Sequence, residues 1–178
     1  MRLTIAYCKA AYPERWKDAA FERIWNSYYR RVLYFIRVSF NAREADDLAQ
    51  EVMAKVFEKL DAYDGRHAFS TWIYTLARNH CIDHVRKRRL AHIELPEHVR
   101  ALADTERDVI ARDEDREVAK ALTALTADEQ GISFLAFGER APYRRIGEIY
   151  RMPLHTVKNR VHAIRTKLKD RLRRTYET

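Results

Sequence analysis

Glycine and proline are scarce, four of each in 178 residues. That scarcity excludes collagen-like chains, Gly-rich linkers and turn-dense all-β folds, and it favours long helices with few breaks. Long apolar runs are missing too. The longest stretch free of Asp, Glu, Lys and Arg is eleven residues, 67–77, and it includes Ser70 and Thr71. A membrane-spanning helix needs roughly 20 apolar residues. The opening MRLTIAYCKAAYPER has Lys9 breaking a short apolar run and no small-residue cleavage site, so it does not read as a signal peptide. Cys8 and Cys81 form neither a C-x-x-C motif nor a disulfide framework. They are expected as reduced thiols of a cytoplasmic protein with no membrane partner.

What the chain does have is charge, arranged in blocks. Lys and Arg number 34 against 26 Asp and Glu, a net of +8, while 47% of residues are hydrophobic. Residues 1–90 carry 17 basic and 11 acidic side chains, residues 91–140 carry 6 and 12, and residues 141–178 carry 11 and 3. Two basic blocks around an acidic one suggest two DNA-facing modules joined by a segment that avoids phosphate.

The periodicity is helical throughout, and the fold class expected is all-α: two helical domains joined by a linker. Phe21, Ile24, Trp25, Tyr28, Val32, Phe35 and Ile36 mark the buried face of a helix from Trp16 to about Phe40, with a break at Asn41. Ala45, Leu48, Ala49, Val52, Val56 and Leu60 face inward on a second, from about Glu44 to Leu60. Asp64-Gly65 is the strongest turn signal. Ser70 or Thr71 is expected to cap a third helix, which runs to about Arg89 and buries Trp72, Ile73, Leu76 and Val85. Between 90 and 108 the periodicity fades, Pro96 intervenes and acids accumulate, as in a linker. The domains are therefore 1–89 and 109–178. The second should hold four helices: about Val109–Leu125; one opening at Thr126 with the capping box T-A-D-E and ending near Gly138; and two carrying Pro142 and Pro153 in their first turns.

The most informative segment is Tyr143–Arg165. Ile146, Gly147, Tyr150, Met152, Val157 and Val161 have helix-turn-helix spacing, with a small residue where the helices cross. Arg151 occupies the turn position where glycine permits a left-handed backbone, so the turn differs there or is strained. The second helix presents His155, Thr156, Lys158, Asn159, Arg160, His162 and Arg165, groups that read base edges or neutralise phosphates. In residues 69–89, Trp72 and Tyr74 interleave with Arg78, Asn79, Asp83 and a basic end that includes Arg86, as unstacked bases require. His80, Cys81 and His84 lack the second ligand cluster of a zinc site, so neither metal nor cofactor is expected. Asp46, Asp47, Gln50 and Glu51 line a polar helix face with no pocket to tune a catalytic carboxylate, which suggests a solvated or protein-docking face.

The segment DDLAQEVMAKVFEKLDAYDGRHAFSTWIYTLARNHCIDHVRKRR resembles the second conserved region of bacterial RNA polymerase sigma factors of the extracytoplasmic-function (ECF) type. ALTALTADEQGISFLAF, followed by YRRIGEIYRMPLHTVKNRVHAIRTKLK, resembles their fourth region. The departures are Pro142 where Ser is common, Gly147 for Ala, Arg151 for Gly, His155 for Gly and Asn159 for Ser. The resemblance implies a promoter-specificity factor rather than an enzyme, with core RNA polymerase and promoter DNA as partners and an anti-sigma factor as a further one. It implies that Asp46, Asp47, Gln50 and Glu51 dock the polymerase. Asp64, Gly65, His67, Phe69, Trp72, Arg78, Asn79, Asp83 and Arg86 would engage the minus-10 element, and the helix after Pro153 the minus-35 element. From the residues alone, a stand-alone helix-turn-helix regulator stays open as the alternative; copurification with core polymerase separates the two.

Overall fold

The computed structural model describes residues 1–40, 44–90, 118 and 121–176, and every regular element among them is helical. Contacts divide the chain into two compact units, Met1–Ile36 with Ala42–Leu95 and Arg37–Asn41 with Pro96–Thr178. The expected break at Asn41, the expected linker beyond Leu90 and most of the expected helix over 109–125 lie outside the described residues.

The first unit is built on α1 (Arg2–Ala11), α2 (Trp16–Phe40) as far as Ile36, α3 (Ala45–Glu58) and α4 (Phe69–Leu90). Helix α1, which the sequence pattern did not single out, buries Ile5 and Cys8, while Lys9 Nζ sits 4.4 Å from the Trp16 ring centroid. It stops before Pro13, whose ring disfavours a helical Tyr12; Tyr12 accordingly has φ −137° and ψ 67°. Ile24, Val32, Phe35 and Ile36 of α2, Leu48, Ala49, Val52, Met53 and Val56 of α3, and Ile73, Tyr74, Ala77 and Cys81 of α4 are each at most 2% exposed. Burying one such large apolar side chain contributes about 1.5–3 kcal/mol. Tyr74, expected as a platform for DNA bases, is instead core, its ring 5.2 Å from Phe35. The expected cap at Ser70 or Thr71 is also corrected. Helix α4 starts at Phe69, the Trp72 amide already bonds to the Ala68 carbonyl, and Thr71 is buried.

The second unit contains α5 (Ala127–Ser133), continued by a π-helical turn Phe134–Gly138, then α6 (Tyr143–Tyr150) and α7 (Leu154–Tyr176). The capping box forms as expected: the Glu129 amide donates to Thr126 Oγ1 at 3.3 Å, and the Thr126 amide donates to Glu129 Oε2 at 3.0 Å. Burial raises the Glu129 pKa, but the hydrogen bonds from Lys167 and Thr126 and the Lys167 charge outweigh it and hold the carboxyl below its ordinary value. Pro142 and Pro153 each stand one residue ahead of their helices rather than inside the first turn. Ile132, Leu135, Ile146, Ile149, Val157, Val161 and Ile164 close the core.

Candidate functional site

Helix α3 buries Ala45, Leu48, Ala49, Val52, Met53 and Val56, which turns Asp46, Asp47, Gln50 and Glu51 outward. Asp46 and Asp47 lie in its first turn, where carboxylates complement the helix dipole. The face that the sequence suggested as solvated or docking also carries intramolecular bonds. Tyr29 Oη donates to Asp46 Oδ1 at 3.0 Å, and Gln50 Nε2 donates to Asp46 Oδ2 at 2.8 Å. Lys55 Nζ is 2.7 Å from His80 Nδ1, and His80 Nε2 is 2.7 Å from Glu51 Oε2. An ammonium only donates, so the imidazole accepts at Nδ1 and its Nε2–H faces Glu51, the neutral tautomer. Burial lowers the His80 pKa, and the Lys55 charge and His84 add to that against the raising effect of Glu51. Behind them, Arg88 Nη1 donates to both oxygens of Glu44, 2.9 and 2.7 Å away. Asp47 alone among the four has no side-chain partner among the described residues.

The turn between α3 and α4 is shaped by Gly65, at φ 70°, and by Asp64, whose Oδ1 accepts from the Arg66 amide at 2.9 Å. Tyr63 Oη donates to the His67 carbonyl at 2.8 Å, tying the loop together. The Tyr63 ring lies 5.2 Å from Phe69 and 5.3 Å from Trp72, and Tyr28 of α2 lies 5.4 Å from Phe69. Phe69 was expected at the DNA surface; at 4% exposed it is instead the buried centre of this aromatic cluster. Gly65 is buried as well, whereas Asp64 and His67 are exposed and Trp72, Arg78 and Asn79 half-buried. Trp72, Asn79, Asp83 and Arg86 are spaced by 7, 4 and 3 residues and share one face of α4. Asp83 and Arg86 pair on it at 3.1 Å. Arg78 lies about 120° around the helix from Trp72. The sequence pattern missed Tyr28 and Tyr63 as members of the cluster. For Tyr63, its place just before the Asp64-Gly65 turn was the available signal.

In the second unit, α6 and α7 form the helix-turn-helix. Arg151 adopts the left-handed conformation, φ 54° and ψ 45°, at a position where glycine would be unstrained. Gly147 is required at the crossing, because a Cβ there would stand 2.7 Å from the Met152 carbonyl oxygen. Val157, Val161 and Ile164 bury one stripe of α7 and leave His155, Asn159 and His162 exposed on the opposite side, with Lys158 exposed beside them. Thr156 is half-buried and Arg160 exposed at one flank. Arg165 lies at the other flank, 5.7 Å from the ring centroid of Phe137.

The Sigma-70 region 2 family profile matches residues 24–91, a span that holds every α3, loop and α4 residue named above. Over 149 residues the chain is 30% identical to the ECF RNA polymerase sigma factor SigW of Bacillus subtilis, spanning 77% of this chain and 80% of that protein. This chain is an ECF RNA polymerase sigma factor. It is also 29% identical, over 161 residues, to the ECF sigma factor RpoE of Cereibacter sphaeroides, covering 87% of each. Among solved structures, the sigma factor RpoE from Bartonella quintana, in complex with the anti-sigma factor NepR, is similar at a TM-score of 0.68 and 22% identity. That likeness covers 86% of this sigma factor and 96% of the other. CnrH, solved with the cytosolic domain of CnrY, is similar at a TM-score of 0.62 and 18% identity, covering 95% and 94%. These likenesses show the all-α fold that the sequence pattern predicted.

Proposed function

We propose that this sigma factor divides promoter recognition among three surfaces. The outer face of α3, with Asp46, Asp47, Gln50 and Glu51, docks core RNA polymerase. The loop at Asp64–His67 and the α4 face of Trp72, Asn79, Asp83 and Arg86, flanked by Arg78, hold the melted minus-10 strand. Helix α7 reads the minus-35 duplex through His155, Thr156, Lys158, Asn159, Arg160, His162 and Arg165. Phe69 supports the minus-10 surface from beneath. The domains are those of the sequence pattern, 1–89 and 109–178, joined by the acidic linker. The protein acts in the cytoplasm as an initiation factor, leaving the chemistry of RNA synthesis to the polymerase, and an anti-sigma factor is a second protein partner.

The observation that carries this proposal is the single α4 face beside a glycine turn backed by aromatic rings. Extracting a base costs a few kcal/mol, and stacking on an aromatic ring returns about 1–3 kcal/mol per base. A repressor that binds only duplex DNA has no use for such a surface. Run-off transcription with core polymerase and a promoter library tests it: transcripts that start at a defined promoter class only when this chain is added are expected. Promoter-dependent transcripts that survive loss of the Trp72, Asn79, Asp83 and Arg86 side chains would overturn this division of surfaces.

A further inference from the structure

Glu51 and Lys55 stand four residues apart on α3 with the carboxylate first, the order in which a helix surface best pairs such groups directly. Among the described residues they form no ion pair with each other. The His80 ring of α4 stands between them instead, Nε2 2.7 Å from Glu51 Oε2 and Nδ1 2.7 Å from Lys55 Nζ. The side chain of His80 is only 11% exposed, that of Glu51 57%. The imidazole is thus a buried arm, and the carboxylate is its outward end. A neutral ring that donates its Nε2–H fixes the carboxylate without cancelling its charge. A direct bridge from Lys55 would cancel it. Asp47 lies one turn before Glu51 on the same exposed face. Like charges at that spacing work against a helix, so the stability of α3 by itself does not account for the arrangement.

We infer that His80 is a positioning residue for polymerase docking, holding the Glu51 carboxylate in line with Asp47 toward a basic group of core RNA polymerase. The inference rests on the docking role of α3 proposed above and brings a second element, α4, into that interface. Lys55 acts behind the ring: an ammonium at Nδ1 keeps the proton on Nε2, where it faces Glu51. A carboxylate held in this way has less freedom to lose when the partner arrives.

The test measures the affinity of the full chain for core polymerase, at a temperature where melting curves show every variant folded. His80→Leu keeps an apolar group in the buried position and removes both bonds. It is expected to weaken binding about fivefold, the cost of ordering one flexible side chain at an interface. Should that variant not fold, a Lys55→Met, His80→Leu double variant, which leaves no half-buried ammonium without its acceptor, takes its place with the same expectation. His80→Gln can still accept from Lys55 and donate to Glu51, and it should bind like the wild type. A double-mutant cycle separates positioning from general support of the fold. Glu51→Ala should weaken binding by itself, and His80→Leu should cost nothing further in that background. Additive losses would show that His80 does not act through Glu51 and would overturn the inference. So would a His80→Leu protein that binds like the wild type while Glu51→Ala binds weakly; the docking face would then stand without this arm. If an Asp47→Ala, Glu51→Ala double variant binds core polymerase undiminished, the docking assignment itself fails.

Discussion

On α3 the outward carboxylates are held: Asp46 by Tyr29 and Gln50, Glu51 by His80, and Glu44 by Arg88. On α7 the outward His155, Lys158, Asn159 and Arg160 have no side-chain hydrogen bond or ion pair among the described residues. The two faces suit different partners. A pinned network pays little further ordering entropy when it meets a rigid protein surface. Unpaired cations keep their charge available for phosphates and gain from released counterions. Bonds along α3 also mean that its residues are not interchangeable: Asp46, Glu51 and Glu44 are tied into the fold, whereas Asp47 has no side-chain partner among the described residues.

The largest expected effect lies where α7 is hung. Gly147→Ala forces a Cβ against the Met152 carbonyl, 2.7 Å away, and that oxygen belongs to a backbone that cannot swing aside. It should destabilise the helix-turn-helix by about 2 kcal/mol and abolish minus-35 binding while polymerase docking by α3 persists. Arg151→Gly at φ 54° should act in the opposite sense, stabilising by about 1 kcal/mol. Thermal melting of the two variants checks both signs, and a neutral Gly147→Ala would show that the turn yields.

Next come the outward cations of α7. Lys158→Ala and Arg165→Ala should each reduce the salt slope of duplex binding by about 0.9. Asn159→Ala should instead relax base preference, by about 1–3 kcal/mol at one position if its amide pairs bidentately. Binding-site selection together with salt titration separates the two behaviours. If all three variants leave both measurements unchanged, α7 is not the reader.

The contrast within α3 gives a smaller effect. Asp47→Ala should weaken binding to core polymerase with no change in melting temperature. Asp46→Ala should lower affinity and also stability, the latter by about 1 kcal/mol, because the hydrogen bonds from Tyr29 and Gln50 lose their acceptor. Identical behaviour of the two would erase the distinction between held and free carboxylates.

The smallest effect concerns pH. Burial places the folded-state pKa of His80 below its ordinary value of 6.5. The unfolded chain therefore takes up the proton first as pH falls through 6.5, and stability declines from there down to the lowered folded value. Above 6.5 the group is neutral in both states and contributes no slope. His80→Gln should flatten that part of the stability curve, as measured by denaturant titration at successive pH values. An unchanged slope would assign the acid sensitivity elsewhere.

Much of this was legible before any coordinates. The 3–4 spacing of apolar residues on α2, α3 and α7 survives as buried stripes, because a helix that packs on one side must bury one side. The Thr126–Glu129 box and the Asp64-Gly65 turn are local, each decided by side chains reaching their own backbone. Helix α1 was not legible: a ten-residue helix with one turn-breaking Pro13 beyond it owes its stability to docking rather than to its own propensity.

The sequence by itself determined the helical class, the helix-turn-helix spacing, the charge blocks and the membership of the ECF sigma factors, since each is carried by residues near one another in the chain. Only the tertiary structure decided which aromatic rings are surface and which are core. Trp72 stays half-exposed while Phe69 and Tyr74, on the same helix, are buried against α2. It also decided which carboxylates are held, because Asp46, Glu51 and Glu44 find partners 17, 29 and 44 residues away. Periodicity reports which way a side chain points relative to its own helix. What meets it there is set by the packing of helices far apart in sequence, and no local pattern records that.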